Sequence, residues 1–181
     1  MQKKRNSAKM LSLLSLFSAL SLIMFLVESL FPSLFIPGAK IGLGNIFVFL
    51  ALITLGQWQA YTVAIVKAVL GSFISGNLST LLFSLSASLV SLTVAIFLFY
   101  VLKAKISIVA LSVISAVTHN VTQNAVYALV TKSSLVFVYL PYLCVLGLIS
   151  GAIVGVTVVI LLRVLPDRLW HKESKIINNN K

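Results

Sequence analysis

Residues 135–163 read LVFVYLPYLCVLGLISGAIVGVTVVILLR, and no charged side chain interrupts them before Arg163. A helix needs about 20 consecutive apolar residues to cross the hydrocarbon core of a bilayer. This run exceeds that length and is predicted to span a membrane. Working outward, further apolar runs cover 11–31, 41–56, 59–76, 78–102 and 106–131, which makes six spans. The breaks fall at Phe31-Pro32 through Pro37-Gly38, Gly56-Gln57, Gly76-Asn77, Lys103-Ala104-Lys105 and Lys132-Ser133. The second run is the shortest, and Gly42 and Gly44 loosen its start, so a tilted or partly irregular segment is expected there. The first run is too long for the apolar part of a signal peptide and lacks a small-residue cleavage site, so no cleaved leader is expected.

Composition agrees. Of 181 residues, 60% are hydrophobic and 9% charged, and the mean hydropathy is +1.10. A soluble domain carries about 25% charged residues to cover its wet surface, which excludes a soluble fold here. The expected fold is all-α, a polytopic integral membrane bundle of six transmembrane helices. It has a basic N-terminus (1–10), one transmembrane domain (11–163) and a polar tail (164–181).

Basic residues outnumber acidic ones 14 to 3, for a net charge of +11. In a soluble protein that excess would point to nucleic acid. Here the basic residues flank apolar spans and set orientation instead, so no nucleic-acid partner is expected. With the N-terminus inside, Lys3, Lys4, Arg5, Lys9, Lys103, Lys105, Arg163, Arg168, Lys172, Lys175 and Lys181 fall on the cytoplasmic side. Lys40 and Lys132 fall outside, and Lys67 lies within a span. Both termini are then cytoplasmic and the chain is a multi-pass protein of the cell membrane.

Several chemistries are excluded. Cys144 is the one cysteine, so neither a disulfide nor a Cys-based metal site forms within one chain. There is no G-x-x-x-x-G-K-[ST] loop to power work with ATP, no H-E-x-x-H and no G-x-S-x-G. Asp167, in the tail, is the only aspartate, whereas chemistry on a prenyl diphosphate needs several carboxylates to hold Mg²⁺ against the phosphates. No enzyme activity, cofactor or metal site is expected.

The polar side chains left inside the spans carry the information, because a charge at mid-bilayer costs about 2.5–3.5 kcal/mol on insertion scales. In Thr118-His119-Asn120-Val121-Thr122-Gln123-Asn124, His119, Gln123, Tyr127, Asn120 and Asn124 fall at about 0°, 40°, 80°, 100° and 140° around a helix. Ser112 and Ser115 extend that face. It is read as lining a ligand- or water-filled cavity, with interhelical hydrogen bonding as the alternative. Lys67 lies near the middle of the third span and needs an anion, carbonyls or water. Glu28, the only acid outside the tail, is a partner for Lys40 or Lys67 in a structural ion pair; otherwise one of these lysines meets an anionic ligand. Pro37-Gly38-Ala39-Lys40 leads into the second span, where free N–H donors, the Lys40 charge and Asn45 make either an anion site or an ordinary helix start. Glu28, Lys40, Asn45, Asn77, Gln123 and Asn124 fall in the outer half of the spans, with Lys67 and His119 near the middle. A cavity lined by them opens outward.

Small residues read differently. Gly147, Gly151 and Gly155 form a doubled G-x-x-x-G that lets a neighbouring helix pack backbone to backbone, and Ser84, Ser88 and Ser91 form a similar stripe on the fourth span. Ala8, Ser12, Ser15 and Ala19 give a small-residue stripe on the first span, open to internal packing or to docking of a partner helix.

Together, P-G-A-K-I-G-L-G-N at 37–45, V-K-A-V-L-G-S at 66–72, T-H-N-V-T-Q at 118–123 and Y-L-P-Y-L…G-L-I-S-G at 139–151 resemble the Gx transporter family, also labelled heptaprenyl diphosphate synthase component I. The resemblance covers about residues 11–163. Where the family pattern leads one to expect arginine, this chain has Lys67, which keeps the charge but loses bidentate geometry. The family is similar to the substrate-binding S components of energy-coupling factor transporters. That similarity implies a six-helix bundle that binds a small molecule near the outer face and works with a separate transmembrane coupling subunit and ATPases. Glu28, Lys40, Asn45, Lys67, His119, Asn120, Gln123 and Asn124 would line its pocket. Some relatives are linked instead to flavin-based extracellular electron transfer beside quinone-synthesis proteins, which implies the alternative of a non-transporting membrane subunit in electron transfer or prenyl diphosphate metabolism.

Overall fold

The computed structural model describes residues 2–30, 42–76, 79–102 and 105–165. Lys40, the Pro37–Lys40 approach to the second run, Asn77 and the tail beyond residue 165 lie outside them. The described residues form six α-helices and no strand: α1 (Gln2–Leu30), α2 (Asn45–Thr54), α3 (Gln57–Ile74), α4 (Ser79–Leu102), α5 (Ile108–Thr131) and α6 (Leu140–Val164). A 3-10 helix, Ser134–Tyr139, precedes α6. Three stretches are long and apolar enough to cross a membrane: Ala8–Leu30, Leu81–Leu102 and Ser134–Val164.

Polarity is inverted relative to a soluble bundle. Leu16, Ile23, Leu82, Phe97, Leu129, Leu148 and Ile160 face outward and are exposed, while Glu28, Lys67, Ser88, Ser91, Ser112, Asn120 and Asn124 are buried. An apolar surface of this extent needs a lipid solvent. The chain is a helical membrane protein.

Side-chain contacts set the register. Gln59 Nε2 meets Met10 Sδ at 3.5 Å, which puts the start of α3 beside the early part of α1. Phe25 lies against Gly71 near the other end of both helices. Ser91 pairs with His119 and Ser115, and Phe83 stacks on Tyr127, centroids 5.5 Å apart, towards the end far from the N-terminus. Successive helices therefore alternate in direction. Laterally, α3 packs on α4, α4 on α5, α5 on α6, α6 on α2 and α2 on α3. That is a closed ring, with α1 outside it against α2 and α3.

The expected second span over 41–56 is a helix of 10 residues. At 1.5 Å per residue it rises about 15 Å, half the hydrocarbon thickness. Gly42 has φ +81°, which a side chain resists, so the helix starts late. Leu55 and Gly56 reverse the chain into α3, with Gly56 at φ 110°. Eight of the ten residues of α2, Ile46 and Val48 through Thr54, are buried. All but Thr54 form the apolar core with Phe17, Ala60, Val63, Ala64, Leu92, Ala95, Ile96, Phe99, Leu111, Val154 and Val158. Those partners come from the start of α3, the end of α4, the start of α5 and the end of α6. The core thus fills the half of the ring nearest the N-terminus, and α2 is its plug.

Along the α5–α6 seam the two backbones approach closely. A Cβ built on Gly151 would lie 2.6 Å from Val113 Cα, and one on Gly155 2.7 Å from Val109 Cα. At Gly147 it would meet Val117 Cα at 3.1 Å. Three valines at four-residue spacing thus lie in the groove left by the three glycines. Gly151→Ala has no room and is expected to cost about 1–3 kcal/mol, read as a lower midpoint of unfolding in lipid. Alanine at Gly76, which meets nothing within 4 Å but has φ +68°, is expected to cost less.

Candidate functional site

On α1, Ser21, Phe25 and Glu28 are spaced four and three residues apart and share one face. All three are buried. That face holds the irregular segment before α2. Glu28 Oε1 accepts from the Gly42 N–H at 2.6 Å and Oε2 from the Leu43 N–H at 3.1 Å. Ser21 Oγ donates to the Gly44 carbonyl at 2.7 Å. Gly44 is wedged tightly: a Cβ there would sit 2.9 Å from the Ser21 carbonyl oxygen and 3.0 Å from Lys67 Cδ. Lys67, 4% exposed, reaches from α3 and donates from Nζ to Asn45 Oδ1 at 2.6 Å.

The structure thus brings Glu28, Asn45 and Lys67 to one corner. A negative and a positive charge grip the two ends of residues 42–45. Charge-assisted bonds of this kind offset part of the desolvation that burial imposes on each ion. The free N–H donors expected before α2 are, at Gly42 and Leu43, engaged by the chain's own carboxylate. Lys40, the other candidate partner of Glu28, lies outside the described residues.

The polar face of α5 divides. Asn120 Nδ2 donates to the Leu143 carbonyl of α6 at 2.9 Å, and Asn124 Nδ2 to the Val136 carbonyl in the 3-10 helix at 3.3 Å. These two amides tie α5 to α6 and to the 3-10 turn that leads into it. His119 turns the other way, its Nδ1 3.4 Å from Ser91 Oγ on α4. Ser115 Oγ donates to the Ser91 carbonyl at 3.2 Å, and Ser91 Oγ to the Ser88 carbonyl at 3.2 Å. Gln123 falls between the two directions and is half-buried. The buried hydroxyls of Ser88 and Ser112 find no hydrogen-bond partner.

His119 and Lys67 stand at similar heights. They lie 11 and 10 residues from the first residues of α5 and α3, Ile108 and Gln57, or about 16 and 15 Å along each helix. Both sit where α2 begins, at the upper edge of the apolar core. Sequence reasoning missed the part played by Ser21 and Phe25; their four- and three-residue spacing to Glu28 was the available signal. It also took Ser88 and Ser91 as packing residues, whereas Ser91 is the partner of His119.

Ala8, Ser12, Ser15 and Ala19 are all exposed on α1. Ser12 Oγ bonds back to the Ala8 carbonyl at 3.0 Å, and the opposite face of α1 carries Phe17, Ser21, Phe25 and Glu28 into the bundle.

A ring of apolar-skinned helices around a buried polar layer defines a helical membrane protein. The family model described as heptaprenyl diphosphate synthase component I matches residues 17–161. The chain belongs to that family. A comparison with curated proteins finds no match.

Losing the Glu28 carboxylate leaves two backbone N–H groups without an acceptor inside the bundle. Glu28→Ala is expected to speed amide hydrogen exchange at 42–46 by at least about tenfold, from the loss of roughly 1.5–3 kcal/mol of charge-assisted bonding. Exchange in α5 should stay unchanged.

Proposed function

We propose that this protein is a membrane-embedded substrate-binding component, similar to the S components of energy-coupling factor transporters. It takes a small anionic molecule from the outer face. The observation that carries the reading is the division of the ring: α2 fills one half with apolar side chains, and Lys67, His119, Gln123, Asn45 and Glu28 are placed at and beyond its upper edge. In this reading the six helices stand across the membrane with both termini cytoplasmic, so that the polar half faces outward. Lys67 meets the anionic group, Lys40 is available as a second charge, and His119 and the amides set orientation. Asn120 and Asn124 contribute by holding α5 in place.

A binding component of this kind performs no reaction and cannot drive uptake alone. The exposed stripe Ala8, Ser12, Ser15 and Ala19 supports a transmembrane coupling subunit as partner, since small residues let a foreign helix approach closely. ATPases would be supplied in trans. The family's description supports a second reading, a non-transporting membrane subunit serving prenyl diphosphate metabolism; its variant in extracellular electron transfer rests on the resemblance alone. Against a catalytic role there stands the supply of acids, one aspartate and two glutamates in the whole chain.

Native mass spectrometry of the protein in mild detergent separates the readings. Under the first, the wild-type chain carries a reproducible small-molecule adduct that Lys67→Ala loses, and Ser15→Leu with Ala19→Leu abolishes association with a coupling subunit while the adduct persists. A bare chain under conditions that retain lipid favours the second reading.

A further inference from the structure

The T-H-N-V-T-Q-N stretch carries four polar groups of similar chemistry, yet the fold uses them differently. Asn120 and Asn124 are committed to carbonyls on the α6 side, and His119 turns to Ser91 on α4. Gln123 lies about 40° from His119 and about 60° from Asn120, in the sector between the two neighbours that faces the ring interior. It is half-buried, and its side chain hydrogen-bonds no other described residue.

Ser88 lies on α4, the helix that His119 meets. It precedes Leu92, Ala95 and Phe99 by four, seven and eleven residues, so it lies on the stripe that builds the apolar core. It is the first polar residue above that core on this stripe. Ser88 is 4% exposed, and its Oγ is buried without a partner. Serine in a membrane helix ordinarily bonds back to its own backbone, as Thr93, Thr118 and Thr157 do in their own helices here. Ser88 is 14 residues from the end of α4 at Leu102, and Gln123 is 15 from the start of α5 at Ile108. On antiparallel helices that places both about 21–22 Å from the same end.

We propose that Gln123 and Ser88, with His119 at the edge, form an uncharged half-site for the neutral donor–acceptor edge of the substrate: a carboxamide, lactam or imide. A glutamine amide offers an acceptor and two donors, and the serine hydroxyl adds one donor. Such groups reject an analogue that lacks the matching edge, because they would be left unpaired. The proposal rests on the substrate-binding reading above and refines it. The substrate carries a neutral amide-like edge as well as the anionic group that Lys67 meets.

The test uses the full chain in lipid nanodiscs with Cys144→Ser and Tyr127→Cys, which sets a single thiol one turn above Gln123. Its rate of modification by a membrane-impermeant charged methanethiosulfonate is measured with benzamide or benzoate at about 10 mM, above the millimolar Kd usual for fragments of this size. Benzamide is expected to slow labelling about threefold or more, and Gln123→Met and Ser88→Ala each to remove that protection. Both variants replace a polar group by an apolar one and are expected to keep or raise the melting temperature, which excludes misfolding as the cause. Benzoate protection is expected to persist in Gln123→Met and to be lost in Lys67→Met. If benzamide protects equally well in Gln123→Met and Ser88→Ala, or fails to protect the parent chain while benzoate does, the half-site is overturned and the anion reading stands. If neither probe protects, both fall.

Discussion

A backbone N–H or C=O group in a bilayer has no water to turn to, and that constraint governs residues 42–44. The second helix begins beside Ser21, partway along α1, so the segment leading to it must find its partners inside the protein. Ser21 and Glu28 of α1 supply them, at 2.7, 2.6 and 3.1 Å. Because they do, α2 can be short, and because α2 is short, one half of the ring is left without an apolar plug. The burial of Lys67 next to Asn45 belongs to the same solution. A lysine at this depth is tolerable where an acceptor oxygen is fixed for it, and the clamp on Gly44 fixes Asn45 one residue later.

The rest of the bundle is built to hold that arrangement rigid. Val109, Val113 and Val117 seat against Gly155, Gly151 and Gly147, so α5 and α6 touch backbone to backbone and act as one element. Asn120 and Asn124 lock the register of this pair. With α5 held on one side, the Ser91–His119 and Ser115–Ser91 bonds hold α4 on the other. The polar face of α5 therefore keeps an angular gap between two fixed neighbours, and Gln123 occupies that gap.

A binding component gains from such division of labour. Residues that fix the helices are hydrogen-bonded to one another or to the backbone, while the buried hydroxyls of Ser88 and Ser112 are not. Buried unsatisfied groups cost stability. Under the proposed reading, the cost at Ser88 is offset when a solute supplies the missing partner.

Much of this was legible in the residue order. Apolar runs long enough to span, a charge excess lying mostly at their flanks and the scarcity of acids determine by themselves an all-helical membrane protein. They do so because the bilayer admits few alternatives and because helix periodicity repeats every few residues. The importance of Glu28 and Lys67 was equally visible, since a charge in a span is rare enough to stand out one residue at a time. Tertiary structure decided three further things: that the second run would end as a ten-residue plug, that Glu28 would cap residues 42 and 43, and that four like-sounding polar residues on α5 would serve three different directions. A helical wheel gives the angle of each side chain but not the angle at which a neighbouring helix arrives. Only packing sets that, so the same 140° of polar face can be glue at one edge, a histidine contact at the other and an open hydrogen-bonding surface between them.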